Sequence, residues 1–150
     1  MKFADFHGVL RHNPTNPRYF TDDTGKAIYL TGSHTWATWV DIRLENDPPF
    51  NWLGFLDMAQ QHGHNFMRLW SWDHPKFAPW TDDVVYFDPM PYLRTGPGLA
   101  NDGLPKFDLT QFNPVYFETL RQRVIEAGKR SLYLAVMLFE GWCLKWSVPS

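Results

Sequence analysis

The chain has 150 residues, about one ordinary domain, and a globule of this size buries roughly 68–70% of its unfolded surface. Its 14 Lys+Arg against 16 Asp+Glu give a net charge of −2, which excludes the basic footprint of a nucleic-acid partner. One Cys cannot form an internal disulfide, no run approaches the ~18 apolar residues of a membrane span, and aromatics reach 17% with eight Trp. Such rings are costly to expose and stack well on flat ligands, so they belong in a core, a binding cleft or both.

Residues 1–17 read as an extended lead-in that ends in the breaker-rich His12-Asn13-Pro14-Thr15-Asn16-Pro17. Lys2, Asp5 and His7 interrupt its apolar residues, so no signal-peptide stretch is present, and a cytoplasmic location is the default expectation. Arg18–Thr21 and Ala27–Thr31 are β-type runs around Asp22-Asp23-Thr24-Gly25-Lys26, a hairpin whose second arm is the first strand. That strand opens into Gly32-Ser33-His34-Thr35-Trp36. Residues 51–63 have helical spacing, with Asn51 as cap and Gly63 as stop. Residues 65–70 form a short buried strand ending in Trp70, Trp72 and Asp73.

Residues 71–110, rich in Pro and Gly, read as a long loop, and excursions of that length are commonly functional. Asn113-Pro114 then starts a helix over 113–128, with an apolar stripe of Phe117, Leu120, Val124 and Ala127 and with Arg121, Arg123 and Glu126 towards solvent. Residues 132–139 are consecutively apolar, a strand covered on both faces that ends in Glu140-Gly141-Trp142.

Hairpin, strand, helix, strand, long loop, helix, strand is an α/β order that needs parallel strands. In such folds the carboxyl ends of the strands face one side, where ligands bind. The expected binding residues are therefore His34, Trp36, Trp70, Trp72, Asp73, Glu140 and Trp142, with His62 at the opposite end. Indole faces suit stacking on flat ligands, and the polar residues beside them suit hydrogen-bonding groups. Trp39, Trp52, Trp80 and Trp146 read as packing residues.

Several motifs carry a blander reading. His62-Gly63-His64 has the look of a metal pair but lies away from the strand ends. Asp23-Thr24-Gly25 spells the aspartic-protease triplet inside a solvated turn. Cys143 has no placed base. Gly96-Pro97-Gly98 lacks the Lys-Ser/Thr of a phosphate loop.

Asn16-Pro-Arg-Tyr-Phe-Thr-Asp, Tyr29-Leu-Thr-Gly-Ser-His-Thr-Trp, Gly63-His-Asn-Phe-Met-Arg-Leu-Trp, Phe107-Asp-Leu-Thr-Gln-Phe-Asn-Pro and Val136-Met-Leu-Phe-Glu-Gly-Trp follow in order along the chain. Together they resemble the N-terminal part of a (β/α)8-barrel glycoside hydrolase of the cellulase-like and apiosidase-like type. The resemblance implies a partial TIM barrel: an N-terminal hairpin closing the bottom, then about three βα units of a single domain. It implies that Arg68 supports a catalytic carboxylate and joins the binding residues, that the substrate is a carbohydrate, and that hydrolysis is retaining with no metal or organic cofactor.

In that family the acid/base Glu follows an Asn at the end of the fourth strand, and the nucleophile ends the seventh. This chain stops after the third, well short of the roughly 250 residues of a full barrel. The isolated chain is therefore expected to be inactive. Asp73 and Glu140 would have to supply the pair otherwise, and retaining enzymes need two carboxyls about 5–5.5 Å apart. A catalytic role, a sugar-hydroxyl contact and a structural ion pair all remain open for Glu140. The alternative is a non-catalytic carbohydrate-binding or assembly fragment, and an unpaired strand edge would make either prone to self-association.

Overall fold

The computed structural model describes residues 7–35, 38–43, 47–72, 86–100, 103–139 and 141. Among them the chain is mixed α/β: two helices and four two-stranded sheets, with no closed barrel.

Near the N-terminus, β1 (Arg11–His12) pairs antiparallel with β2 (Phe20–Thr21). The expected hairpin partner, 27–31, meets β2 only at one bridge, Phe20 to Ile28. The turn between them has the expected chemistry. Asp22 accepts from the Thr24 amide (2.9 Å) and hydroxyl (2.5 Å), and Gly25 takes a φ of 72° that a side chain would resist.

Helix α1 (Trp52–Gln61) starts where the Asn51 side chain accepts from the Gly54 amide (3.0 Å). It buries Trp52, Leu56 and Ala59. Strand β4 (Phe66–Leu69) follows, then β5 (Tyr86–Asp88), which pairs antiparallel with β3 (Asp41–Arg43). Helix α2 (Pro114–Gly128) begins with Asn113 accepting from the Val115 amide (3.1 Å) and Pro114 in its first turn. It leads into β8 (Tyr133–Val136), parallel to β4 with Arg68 opposite Ala135.

Two further expectations change. The stretch 71–110 is not one long loop: besides β5 it holds β6 (Tyr92–Leu99), and most of β7 (Pro105–Phe112), paired antiparallel. Gly96, Pro97, Gly98 and Pro105 sit in a two-stranded ribbon with register shifts, where Pro is tolerated because each strand has an open edge among the described residues. The inner face of α2 also changes in part: Leu120 and Ala127 lie against the core as expected, but Tyr116 and Arg123 take the places of Phe117 and Val124. Tyr116, Arg123 and Ala127 are buried, whereas Phe117 and Val124 are 42% and 40% exposed. Arg123 faces inward because it has partners there: it donates to the Thr38 carbonyl (2.5 Å) and to Asp41 (2.6 Å).

Met67 and Leu69 of β4 are buried in the core with Leu56, Ala59, Ala127 and Leu132, and Leu134 and Val136 pack against it. The alternate residues Phe66, Arg68 and Trp70 therefore share the opposite face with Tyr133, Ala135 and Met137.

Candidate functional site

The site is organised by β4. Its odd-numbered peptide groups face β8: Tyr133 N–H donates to Asn65 O and Met137 N–H to Leu69 O. Its even-numbered groups face Thr31 and Thr38 instead. Phe66 N–H donates to Thr31 O. Further along, the Thr38 hydroxyl donates to Arg68 O (3.1 Å) and accepts from Trp70 N–H (3.4 Å). The expected first strand thus runs beside β4 without building a regular ladder, and one hydroxyl completes what a strand backbone would otherwise supply. Gly32 is required on this course, since a Cβ there would lie 1.7 Å from Phe66 O.

That course delivers His34 to the carboxyl end of β4. Its exposed ring stacks on the half-buried Trp70, with centroids 6.0 Å apart and planes at 27°. Arg68 is exposed, and its guanidinium has no hydrogen bond or ion pair among the described residues. Trp72 differs from the expectation of a stacking platform. It is 1% exposed and packs at 4.9 Å on Phe87, so it offers no open face. Trp39 and Trp52 are buried, and the indole of Trp52 donates to Arg123 O (3.3 Å).

Trp36, Asp73, Glu140 and Trp142 lie outside the described residues, as do Trp80, Trp146 and Cys143. Among the described residues no group of three His, Cys, Asp or Glu side chains can hold a metal ion. His62 and His64, with rings 6.2 Å apart, precede β4 at the end opposite His34. No described helix is long and apolar enough to cross a membrane.

Sequence reasoning missed Thr38 and Ser71, both fully buried at the carboxyl end of β4. A Thr directly before an apolar Trp-Val pair carries no signal until its neighbour across the sheet is known. Also missed was an aromatic cavity of about 550 Å³ between the β6–β7 ribbon, the start of α2 and the chain just past β8.

Electrostatics concentrate at the other end of the sheet. Tyr133, at the start of β8, donates to Asp22 in the turn after β2 (2.7 Å). Hydrogen bonds from Thr24 and then Tyr133 pull the Asp22 carboxyl down to about 2, against the opposing effect of burial. Burial, then the bond and the charge of Asp22, push the Tyr133 phenol up to about 12. The turn is thereby fastened to the amino end of the sheet.

No family model matches the chain, and no curated protein matches it. Among solved structures it is similar to one from Bacteroides vulgatus described as a putative glycoside hydrolase, with a TM-score of 0.62 and 17% identity. The match covers 89% of this chain and 24% of that one, so this chain spans about a quarter of that protein's length. At this identity the likeness is one of fold.

Proposed function

We propose that this chain is part of a glycoside hydrolase built on a (β/α)8 barrel, acting on poly- or oligosaccharide. The observation that carries the reading is the structural likeness over 89% of the chain to the Bacteroides vulgatus protein. The local chemistry supports it. Trp70 presents an indole at a strand end, and His34 stacked beside it offers ring nitrogens to sugar hydroxyls. Trp36, Asp73, Glu140 and Trp142 follow the same strand ends in sequence and complete the proposed sugar surface.

The proposed mechanism is retaining double displacement. One carboxylate attacks the anomeric carbon while a carboxylic acid protonates the leaving oxygen, and water then releases the glycosyl-enzyme with that second group acting as base. Arg68 is proposed to steady one of these carboxylates. One observation favours the non-catalytic alternative for the isolated chain: Arg68 has no carboxylate partner among the described residues.

The test is retention of the 150-residue chain by immobilised polysaccharides, together with turnover of aryl glycosides. Retention that Trp70→Ala abolishes, with no turnover, is the expected result. Failure to bind any polysaccharide would overturn the reading. Turnover that disappears in Glu140→Gln would instead make Glu140 a catalyst within this chain.

A further inference from the structure

The peptide that joins Leu69, the last residue of β4, to Trp70 is held on both sides. Its carbonyl, Leu69 O, accepts from the Met137 N–H on the β8 side (3.0 Å). On the other side its N–H, that of Trp70, donates to the Thr38 hydroxyl (3.4 Å), and the same hydroxyl donates its own proton to the Arg68 carbonyl (3.1 Å). A parallel neighbour strand would meet this pair of groups with the N–H and C=O of one residue. Here a single O–H meets both, as donor to one and acceptor from the other. The chain bends at 38–40, so no strand backbone takes that place.

Thr38 is itself fixed from behind. It is fully buried, and its carbonyl accepts from Arg123 (2.5 Å), whose guanidinium also donates to Asp41 (2.6 Å). Helix α2, the start of β3 and the end of β4 therefore converge on one residue. The segment that carries His34 meets β4 at two places: Thr31 O accepts from the Asn65 and Phe66 amides, and Thr38 holds Arg68 and Trp70. His34 lies between these attachments in sequence, and its ring stacks on Trp70. A planar peptide whose N–H and C=O are both anchored has a fixed orientation, which restricts the direction in which the next side chain leaves the backbone. The Thr38 hydroxyl thus bears on where the Trp70 indole stands and on whether His34 meets it.

We propose that Thr38 is a positioning residue for the sugar surface: its hydroxyl orients Trp70 and keeps His34 stacked on it. The inference rests on the sugar reading of that surface, but the placement of the two rings is measurable without a sugar. Thr38 has no exposed area, so it acts through Trp70 and touches no ligand.

The test compares Thr38→Ser with Thr38→Val in the 150-residue chain. Serine keeps the hydroxyl, whereas valine keeps the branched shape and removes it. In proton NMR the ring protons of His34, assigned with His34→Gln, are expected upfield because they lie over the Trp70 indole. Thr38→Val should abolish that displacement and Thr38→Ser should keep it. His62 and His64, at the opposite end of β4, should keep their signals in both, a selectivity that a general loss of stability would not produce. Retention by immobilised xylan and cellulose should fall about fivefold in Thr38→Val, within the worth of one aromatic stacking contact, and stay near the parent value in Thr38→Ser.

A His34 signal that is not upfield in the parent, that stays upfield in Thr38→Val, or that shifts equally in Thr38→Ser would overturn the inference. Undiminished retention in a folded Thr38→Val would overturn it too. Should Thr38→Val fail to fold, as judged by near-ultraviolet circular dichroism, hydrogen exchange of the Trp70 amide in the unaltered chain decides. Protection is expected, and exchange at the rate of a free amide would show that the hydroxyl bond does not form. A parent that binds neither polysaccharide yet shows the Thr38-dependent His34 signal would remove the sugar reading while supporting the positioning, so the two fail separately.

Discussion

The Tyr133 hydroxyl donates to Asp22 at 2.7 Å across 111 residues of sequence, joining the first strand pair to the first residue of β8. The bond needs a neutral phenol and an ionised carboxylate, and each group's shift favours that form. Asp22 falls from 3.8 to about 2, so its contribution to stability is present above pH 3.8 and disappears as pH drops towards 2. Tyr133 rises from 10.0 to about 12, so its contribution is complete below pH 10 and disappears as pH climbs towards 12. Chemical denaturation across pH should therefore show Tyr133→Phe narrowing the gap to wild type at both extremes. An unchanged gap from pH 2 to pH 12 would show that the bond does not form.

Arg123 and Asp41 make the second long-range clasp, 82 residues apart and little exposed, at 8% and 17% of their side chains. Arg123→Ala leaves a shielded carboxylate and the Thr38 carbonyl without their donor, and should cost about 2–4 kcal/mol. Arg123→Lys should recover only part of this, because one ammonium lacks the planar fork that serves both acceptors. Thermal melting of the two variants checks the order. Equal melting temperatures for Ala and wild type would show that the pair is solvated in solution.

Two glycines should respond in opposite directions. A Cβ on Gly32 would lie 1.7 Å from the Phe66 carbonyl oxygen, a backbone atom that cannot swing aside. Gly32→Ala should therefore destabilise by roughly 2–4 kcal/mol. Gly128 ends α2 with nothing within 4 Å of its Cβ position and no positive φ. Gly128→Ala should gain roughly 0.4–1 kcal/mol by restricting the unfolded chain. Denaturation midpoints decide both, and a stable Gly32→Ala would mean that residues 29–34 do not hug β4.

The elements legible in the sequence are those set by local chemistry. Asn51 and Asn113 cap α1 and α2, and the apolar runs at 65–70 and 132–139 contain the parallel pair β4 and β8. Elements set by distant partners were not legible. Arg123 looks like a surface residue until Asp41 and Thr38 are brought to it. Gly96, Pro97, Gly98 and Pro105 spell a loop, yet Gly96 is where β6 can approach the Lys106 carbonyl closely. At the site, His34 and Trp70 meet as the strand order implies. Trp72 does not join them, because Phe87, from a strand hidden in the Pro-rich stretch, covers its ring.

The outer edge of β8 supplies the last prediction. Among the described residues β8 pairs only with β4, so its other edge carries unpaired backbone groups along an uncharged strand. Bare apolar edges template pairing with another chain. The 150-residue protein is therefore expected to self-associate with rising concentration, as sedimentation velocity would read directly. Ala135 lies opposite Arg68 in the register and shares its face. Ala135→Glu would place a carboxylate beside that guanidinium, an ion pair worth about 0.2–1 kcal/mol, and would charge the edge strand at the same time. The variant should remain monomeric at concentrations where the parent associates, without losing its melting temperature. Association undiminished by Ala135→Glu would place the contact elsewhere than the β8 edge, and a parent that stays monomeric throughout would show that this edge is protected in solution.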